Sequence, residues 1–284
     1  MEIELLPTWV LLSAAAAVGA ILGSFSSVVI HRLPIMMQRE WLSEHRQDVD
    51  QGVLEGTYDL SSPGSSCPHC GYRIPPWFNV PILGYLLLRG RCNSCQKRIS
   101  LRYPLVEILG ALIAASAMMR FGPDLPFIFA LLLGTALLIL TFIDLDFRIL
   151  PDRITLSLIW IGLFLSVFDI YVDSRASILG ASLGYGSFWL IHWVFFRLTG
   201  KEGMGRGDFK LLAALGAWLG WSQLPLVILL SSVLGSLVGI FMIASGLKKR
   251  DESIPFGPFL AVAGWMGFLF GDLLMQQYWS FAGL

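Results

Sequence analysis

Two sets of side chains in this 284-residue chain have types and placements suited to chemistry. The first is a set of aspartates at the edges of apolar runs, Asp144 at the end of "ALLLGTALLILTFI" and Asp208 at the end of "GMGRGD". The second is Cys67, Cys70, Cys92 and Cys95, which are all the cysteines of the chain. Carboxylates are expensive in an apolar setting and mark function there by default. Two of them held close share one proton, so that one takes a proton from water while the other hydrogen-bonds a carbonyl. That is aspartyl-protease chemistry, and it needs neither a metal nor a serine.

The remaining acids sort by position. Asp152 follows Pro151 at the start of a predicted helix, where a proline fits and an acid complements the positive helix end. Its reading is structural. Asp146 lies beyond the apolar run beside Arg148 and reads as a solvated turn or ion-pair residue. Asp144 follows the run directly, and capping does not explain it, because an acid at a helix C-terminus opposes the dipole. Asp208 has a common structural use as an acid in a first helical turn. Its neighbourhood favours more, since the glycines before it leave room for another backbone, such as an extended peptide. A phosphate cradle fits poorly, for no strand precedes the glycines and Asp208 would repel the anion. Asp144 and Asp208 are therefore the candidate catalytic pair.

The cysteines form C-x2-C, 21 residues, then C-x2-C. Each pair aims two thiolates from one turn, and two pairs complete a tetrahedron, the pattern of a zinc ribbon. Four sulfur ligands leave no open position, so the metal would be structural. A redox use of one pair is the alternative, and it leaves the second pair without a role. His69 reads as a turn residue.

These groups need helices to hold them. The chain is 55% hydrophobic and 14% charged, against about 25% charged for soluble domains. This composition predicts an all-α polytopic membrane protein. Apolar segments near 6–30, 104–119, 125–143, 154–172, 177–196, 209–221, 224–245 and 256–275 give about eight transmembrane helices. The first is too long for a signal-peptide core and has Glu2 and Glu4 in place of a basic start, so it reads as retained. With both termini outside, 18 of the 20 Lys and Arg residues fall on inner loops and their borders, including Lys248, Lys249 and Arg250. The expected organisation is a first helix (1–30), a cytoplasmic loop domain with the tetracysteine zinc site (31–103), and a seven-helix membrane region (104–284). Asp144 and Asp208 then share the cytoplasmic boundary. Net charge is zero, and no basic arm or groove-reading motif points to nucleic acid. The acids of the long loop (Glu40, Glu44, Asp48, Asp50, Glu55, Asp59) read as a solvated face, with attraction of a basic peptide as the rival use.

"GSFSSVVIHRLP" (23–34), the four-cysteine segment, "RYPLVE" (102–107), "IDLDFRILPD" (143–152), "GMGRGDFKLLAALGAW" (203–218) and "IPFGP" (254–258) together resemble the bacterial type IV prepilin leader peptidases, membrane aspartyl proteases of the GxGD type. Ser26 and Ser27 stand where many members carry leucine and asparagine. The resemblance places the two catalytic aspartates on Asp144 and Asp208. It implies cleavage of the short basic leader of type IV prepilins or type II secretion pseudopilins at the inner face of the bacterial inner membrane. It further implies N-methylation of the new terminus from S-adenosylmethionine. A transporter using intramembrane aspartates is the rival class, and a noncatalytic membrane scaffold is a third. A transporter would explain the acids but not the cysteine module, and no internal repeat supports it; in the scaffold reading the zinc loop would bind a partner.

Overall fold

The computed structural model describes residues 7–45, 58–201, 203–247 and 254–282. Glu2, Glu4, Asp48, Asp50, Glu55 and Lys248 to Arg250 lie outside the described residues. Among those described there is no β-strand, only two isolated bridges. The described residues form nine α-helices, in order α1 Thr8–His45, α2 Leu83–Leu87, α3 Arg102–Phe121, α4 Leu125–Phe147, α5 Asp152–Ser166, α6 Ser174–Thr199, α7 Arg206–Leu219, α8 Leu224–Ala244 and α9 Gly257–Ala282. All eight predicted apolar segments are helices. Six of them, α1, α3, α4, α6, α8 and α9, are long and apolar enough to cross a membrane. The other two, α5 and α7, have 15 and 14 residues, shorter than the roughly 20 that span a bilayer.

Two ends differ from the sequence expectation. α1 does not stop near residue 30 but runs through Pro34 to His45. Residues 31–45 contain no glycine, and one proline removes only one helix donor. α5 ends at Ser166, six residues early. The chain turns there through Asp169, whose φ of 49° lies in the left-handed region.

The molecule divides into two compact units, 1–139 and 140–284, with the division inside α4. In the first unit α1 packs on α3 through small residues. A Cβ on Gly19 would lie 2.2 Å from the Gly110 carbonyl oxygen, and one on Gly23 would lie 2.7 Å from that of Val106. Close backbone approach of this kind replaces the hydrophobic drive that lipid does not provide. Ser26 is buried on α1 and donates to the Leu22 carbonyl at 2.7 Å.

The second unit is built around α7, whose residues Phe209 to Leu219 are almost all buried. α6 meets it glycine to glycine, since a Cβ on Gly180 or Gly216 would fall 2.1 Å from the other's carbonyl oxygen. Ser177 on α6 donates to the Ala217 carbonyl at 2.7 Å. On the α5 side, the Trp218 indole donates to the Leu158 carbonyl at 2.8 Å, and Gly162 leaves room for the Trp218 ring. Ser177 and Trp218 are thus paired across helices, as an apolar medium favours. The outer face of α6 stays exposed and apolar at Trp189, Leu190, Trp193 and Val194, as a lipid-facing surface would be.

Candidate active site

α4 ends just after Asp144. Its last turn closes with the Arg148 N–H on the Asp144 carbonyl at 2.9 Å, and Arg148 itself has φ 55°. The chain then passes through Leu150 and Pro151 into α5. Asp144 is 6% exposed, whereas Asp146 is exposed. The long apolar run buries the first acid, and the helix end turns the second outward.

Asp208 is the third residue of α7 and is 7% exposed. Gly205 occupies the cap position and has no side chain to offer the first helical N–H groups. The Asp208 carboxylate supplies the other half of a capping box, reaching back to accept from the N–H of Gly205 itself. Its structural use and its burial in the site therefore coexist.

The two carboxylates lie within electrostatic reach of each other. A third element completes the site. The N–H of Gly257, the first residue of α9, donates to Asp144 Oδ2 at 3.0 Å, satisfying one of the donors that a helix start leaves unpaired. Space here is closely filled. A Cβ on Gly257 would sit 2.7 Å from that Oδ2 and 3.2 Å from Leu150 Cδ2, and a Cβ on Gly207 would sit 2.8 Å from Leu150 Cβ. Leu150 is buried between the two glycines. Phe188 of α6 reaches both sides, with ring centroids 6.5 Å from Phe209 and 6.1 Å from Phe256.

Sequence reasoning gave Gly257 no role. "IPFGP" was legible only as a stretch carrying a family likeness, because a backbone donor leaves no side-chain signature. Asp152, read as a helix-start acid, is the first residue of α5, with Pro151 at the cap position just outside the helix. Both of its oxygens accept from Lys210 Nζ at 2.7 Å, so it ties α5 to α7 and stays outside the pair.

The four cysteines come together. Their Sγ atoms lie within 4.8 Å of one another, with Cys67 and Cys95 3.8 Å apart and Cys70 and Cys92 3.9 Å apart. Tetrahedral metal–sulfur bonds of about 2.3 Å require edges of about 3.8 Å, so the set fits a four-coordinate ion. The two turns are built alike. Cys67 N–H donates to Tyr72 and Cys92 N–H to Lys97, both at 2.9 Å, and each turn is closed by one isolated bridge, Ser66 with Arg73 and Arg91 with Arg98. The residue after each second cysteine, Gly71 or Gln96, takes positive φ. The N–H groups of His69 and Cys70 hold the Cys67 thiol down to about 6. Cys95, although the Lys97 N–H favours its thiolate, is pushed up to about 11 by burial and the neighbouring sulfurs. Four such sulfurs ionise together only around a cation. His69 stands outside the sulfur cluster, as a turn residue.

Comparison with known proteins agrees with these features. Residues 17–121 match the family model described as Bacterial Peptidase A24 N-terminal domain, and residues 131–240 that of the Type IV leader peptidase family. The chain is 49% identical to the prepilin leader peptidase/N-methyltransferase of Aeromonas hydrophila, over 95% of this chain and 94% of that protein. It is 47% identical to the same-named protein of Pseudomonas putida (92% and 91% covered) and 45% identical to that of Pseudomonas aeruginosa (93% and 92% covered). No solved structure gives a significant match. The transporter reading falls away, because similarity at this level over nearly the whole chain is to proteins named as peptidases. The chain belongs to the type IV leader peptidase family.

Proposed function

We propose that this protein removes the leader of type IV prepilins or type II secretion pseudopilins, using Asp144 and Asp208, at the cytoplasmic boundary of the bacterial inner membrane. The observation that carries the reading is the burial of both carboxylates in one unit within electrostatic reach, with Asp144 held by the Gly257 N–H.

In this reading the ionised aspartate takes a proton from water as the water oxygen attacks the scissile carbonyl carbon. The protonated aspartate hydrogen-bonds the carbonyl oxygen as charge develops there. Collapse of the tetrahedral intermediate breaks the C–N bond, and the departing nitrogen takes a proton from the acid member. Of the glycines beside Asp208, Gly203 and Gly207 are already faced by Phe195 and Leu150, so the room expected for a peptide backbone is left at Gly205. A boundary site meets the cleavage point of a membrane-anchored substrate without drawing that anchor from the bilayer, and the eight-span reading, which puts 18 of 20 basic residues on inner loops and their borders, supports the cytoplasmic face as that boundary. The domain reading of a first helix, a loop domain over 31–103 and a membrane region over 104–284 accompanies it.

Zinc held by Cys67, Cys70, Cys92 and Cys95 would fix the two turns of the loop domain and supply no open coordination position. The relatives' name supports N-methylation of the new terminus, for which S-adenosylmethionine would supply the methyl group. Among the described residues there is no strand-to-helix nucleoside fold to hold that donor, and no residue is assigned to it.

Purified protein incubated with a prepilin tests the reading by leader removal on a gel. Mass analysis of the cleaved pilin tests methylation by the gain of one methylene. Full cleavage by either Asp144→Ala or Asp208→Ala would overturn the catalytic assignment.

A further inference from the structure

The 21 residues between the cysteine pairs do more than connect them. They include a 3-10 turn, Pro76–Phe78, followed by α2. These two pack backbone to backbone, since a Cβ on Gly84 would meet the Phe78 carbonyl oxygen at 2.1 Å. With the inner side closed by backbone, the apolar side chains face outward. Leu83, Leu86 and Leu87 are 57%, 62% and 70% exposed, and Trp77 and Val80 are exposed beside them. A soluble zinc module has no reason to present such a patch.

Two further observations say what covers it. The first is charge. Residues 60–106 contain no Asp or Glu, while Arg73, Arg89, Arg91, Lys97 and Arg98 are all exposed there. A segment that exposes apolar side chains and whose exposed charges are all basic complements an anionic lipid surface. The second is depth. The Ile82 N–H, just before α2, donates to Glu107 Oε2 at 2.7 Å, and Glu107 is buried. Glu107 lies five residues into the membrane-length helix α3, about 7.5 Å along its axis at 1.5 Å per residue. Interfacial helices sit about 5–10 Å into the headgroup and acyl boundary. Counted from the start of that candidate span, Glu107 fastens the patch at about the depth where a bilayer takes up such side chains, and the bonded Ile82 has φ 62°.

We propose that residues 76–88 form a membrane-interface anchor, inserting Trp77, Leu83, Leu86 and Leu87 into an anionic bilayer and holding the cysteine module flat against it. A substrate helix, a second copy of the chain, or another segment of the same chain are the other possible occupants, and the test separates them.

The photoreactive residue benzoylphenylalanine is placed at Leu87 of the full chain in nanodiscs of phosphatidylethanolamine and phosphatidylglycerol. Ile108, exposed on α3, serves as the lipid-facing control, and Asn93, exposed on a cysteine turn, as the aqueous control. After irradiation, intact mass should show phospholipid adduct at Leu87 comparable to Ile108 and at least about fivefold above Asn93. Leu86 is used in the same way if the Leu87 protein does not elute as the unlabelled protein does. Adducts with a prepilin, with a second chain or within the chain would overturn the anchor. So would an absence of lipid adduct at both leucines while Ile108 reacts.

Discussion

The backbone N–H of Gly257 and the carboxylate of Asp144 meet at 3.0 Å although 113 residues separate them in the chain. The start of α9 therefore sets where the Asp144 carboxylate points, and the absence of a side chain at 257 is what lets it do so. Gly257→Ala brings a methyl group to 2.7 Å from Asp144 Oδ2. The carboxylate must move, and misplacement on the order of 1 Å costs roughly 10²-fold in rate. Cleavage kinetics should lose about tenfold or more in kcat, with KM changed much less.

Asp144→Asn and Asp208→Asn keep shape and hydrogen bonding but remove the exchangeable charge. Each should lower prepilin cleavage by about 10²-fold or more, the scale of a general acid–base contribution. Asp152→Ala removes the Lys210 ion pair, in which the Asp152 side chain is 56% exposed. Exposed pairs contribute about 0–1 kcal/mol, so cleavage by this variant should stay near wild type in the same assay.

Phe188 touches the rings on both sides of the site, next to Asp208 through Phe209 and next to Gly257 through Phe256. Phe188→Ala should cost about 3–5 kcal/mol of stability as a buried ring is lost. Phe188→Leu keeps most of the volume and should fold, yet leave kcat reduced, because the two backbone segments lose their common support. Thermal unfolding and kinetics on the same samples separate the two effects.

At the α6 and α7 crossing, a methyl group on Gly216 would fall 2.1 Å from the Gly180 carbonyl oxygen. Backbone cannot move aside as a rotamer can, so Gly216→Ala should destabilise by at least about 1–3 kcal/mol. Ser177→Ala in the same interface removes one hydrogen bond and should cost about 1 kcal/mol. The order of the two melting temperatures checks the geometry.

The cysteine module should bring down one equivalent of zinc per chain when the protein is purified without chelator. Cys67→Ser or Cys95→Ser should lose it, and the remaining thiols should then alkylate readily. Elemental analysis with thiol counting measures both, and four freely reactive thiols without metal in the wild type would exclude the site.

The sequence by itself determined the properties that depend on near neighbours. Apolar runs specified the helices, because burying or lipid-exposing a helix requires a continuous stretch. The spacing of Cys67, Cys70, Cys92 and Cys95 specified two matching turns, because each turn is local. The apolar run before Asp144 specified its burial, because the same helix carries it inward. What only the tertiary structure decided were partnerships across the chain. Lys210 claims Asp152, Glu107 claims the Ile82 N–H, and Gly257 claims Asp144. Each joins residues at least 25 apart in sequence. Two of the three use a backbone donor, which any residue except proline possesses, so no pattern of side-chain types could announce it.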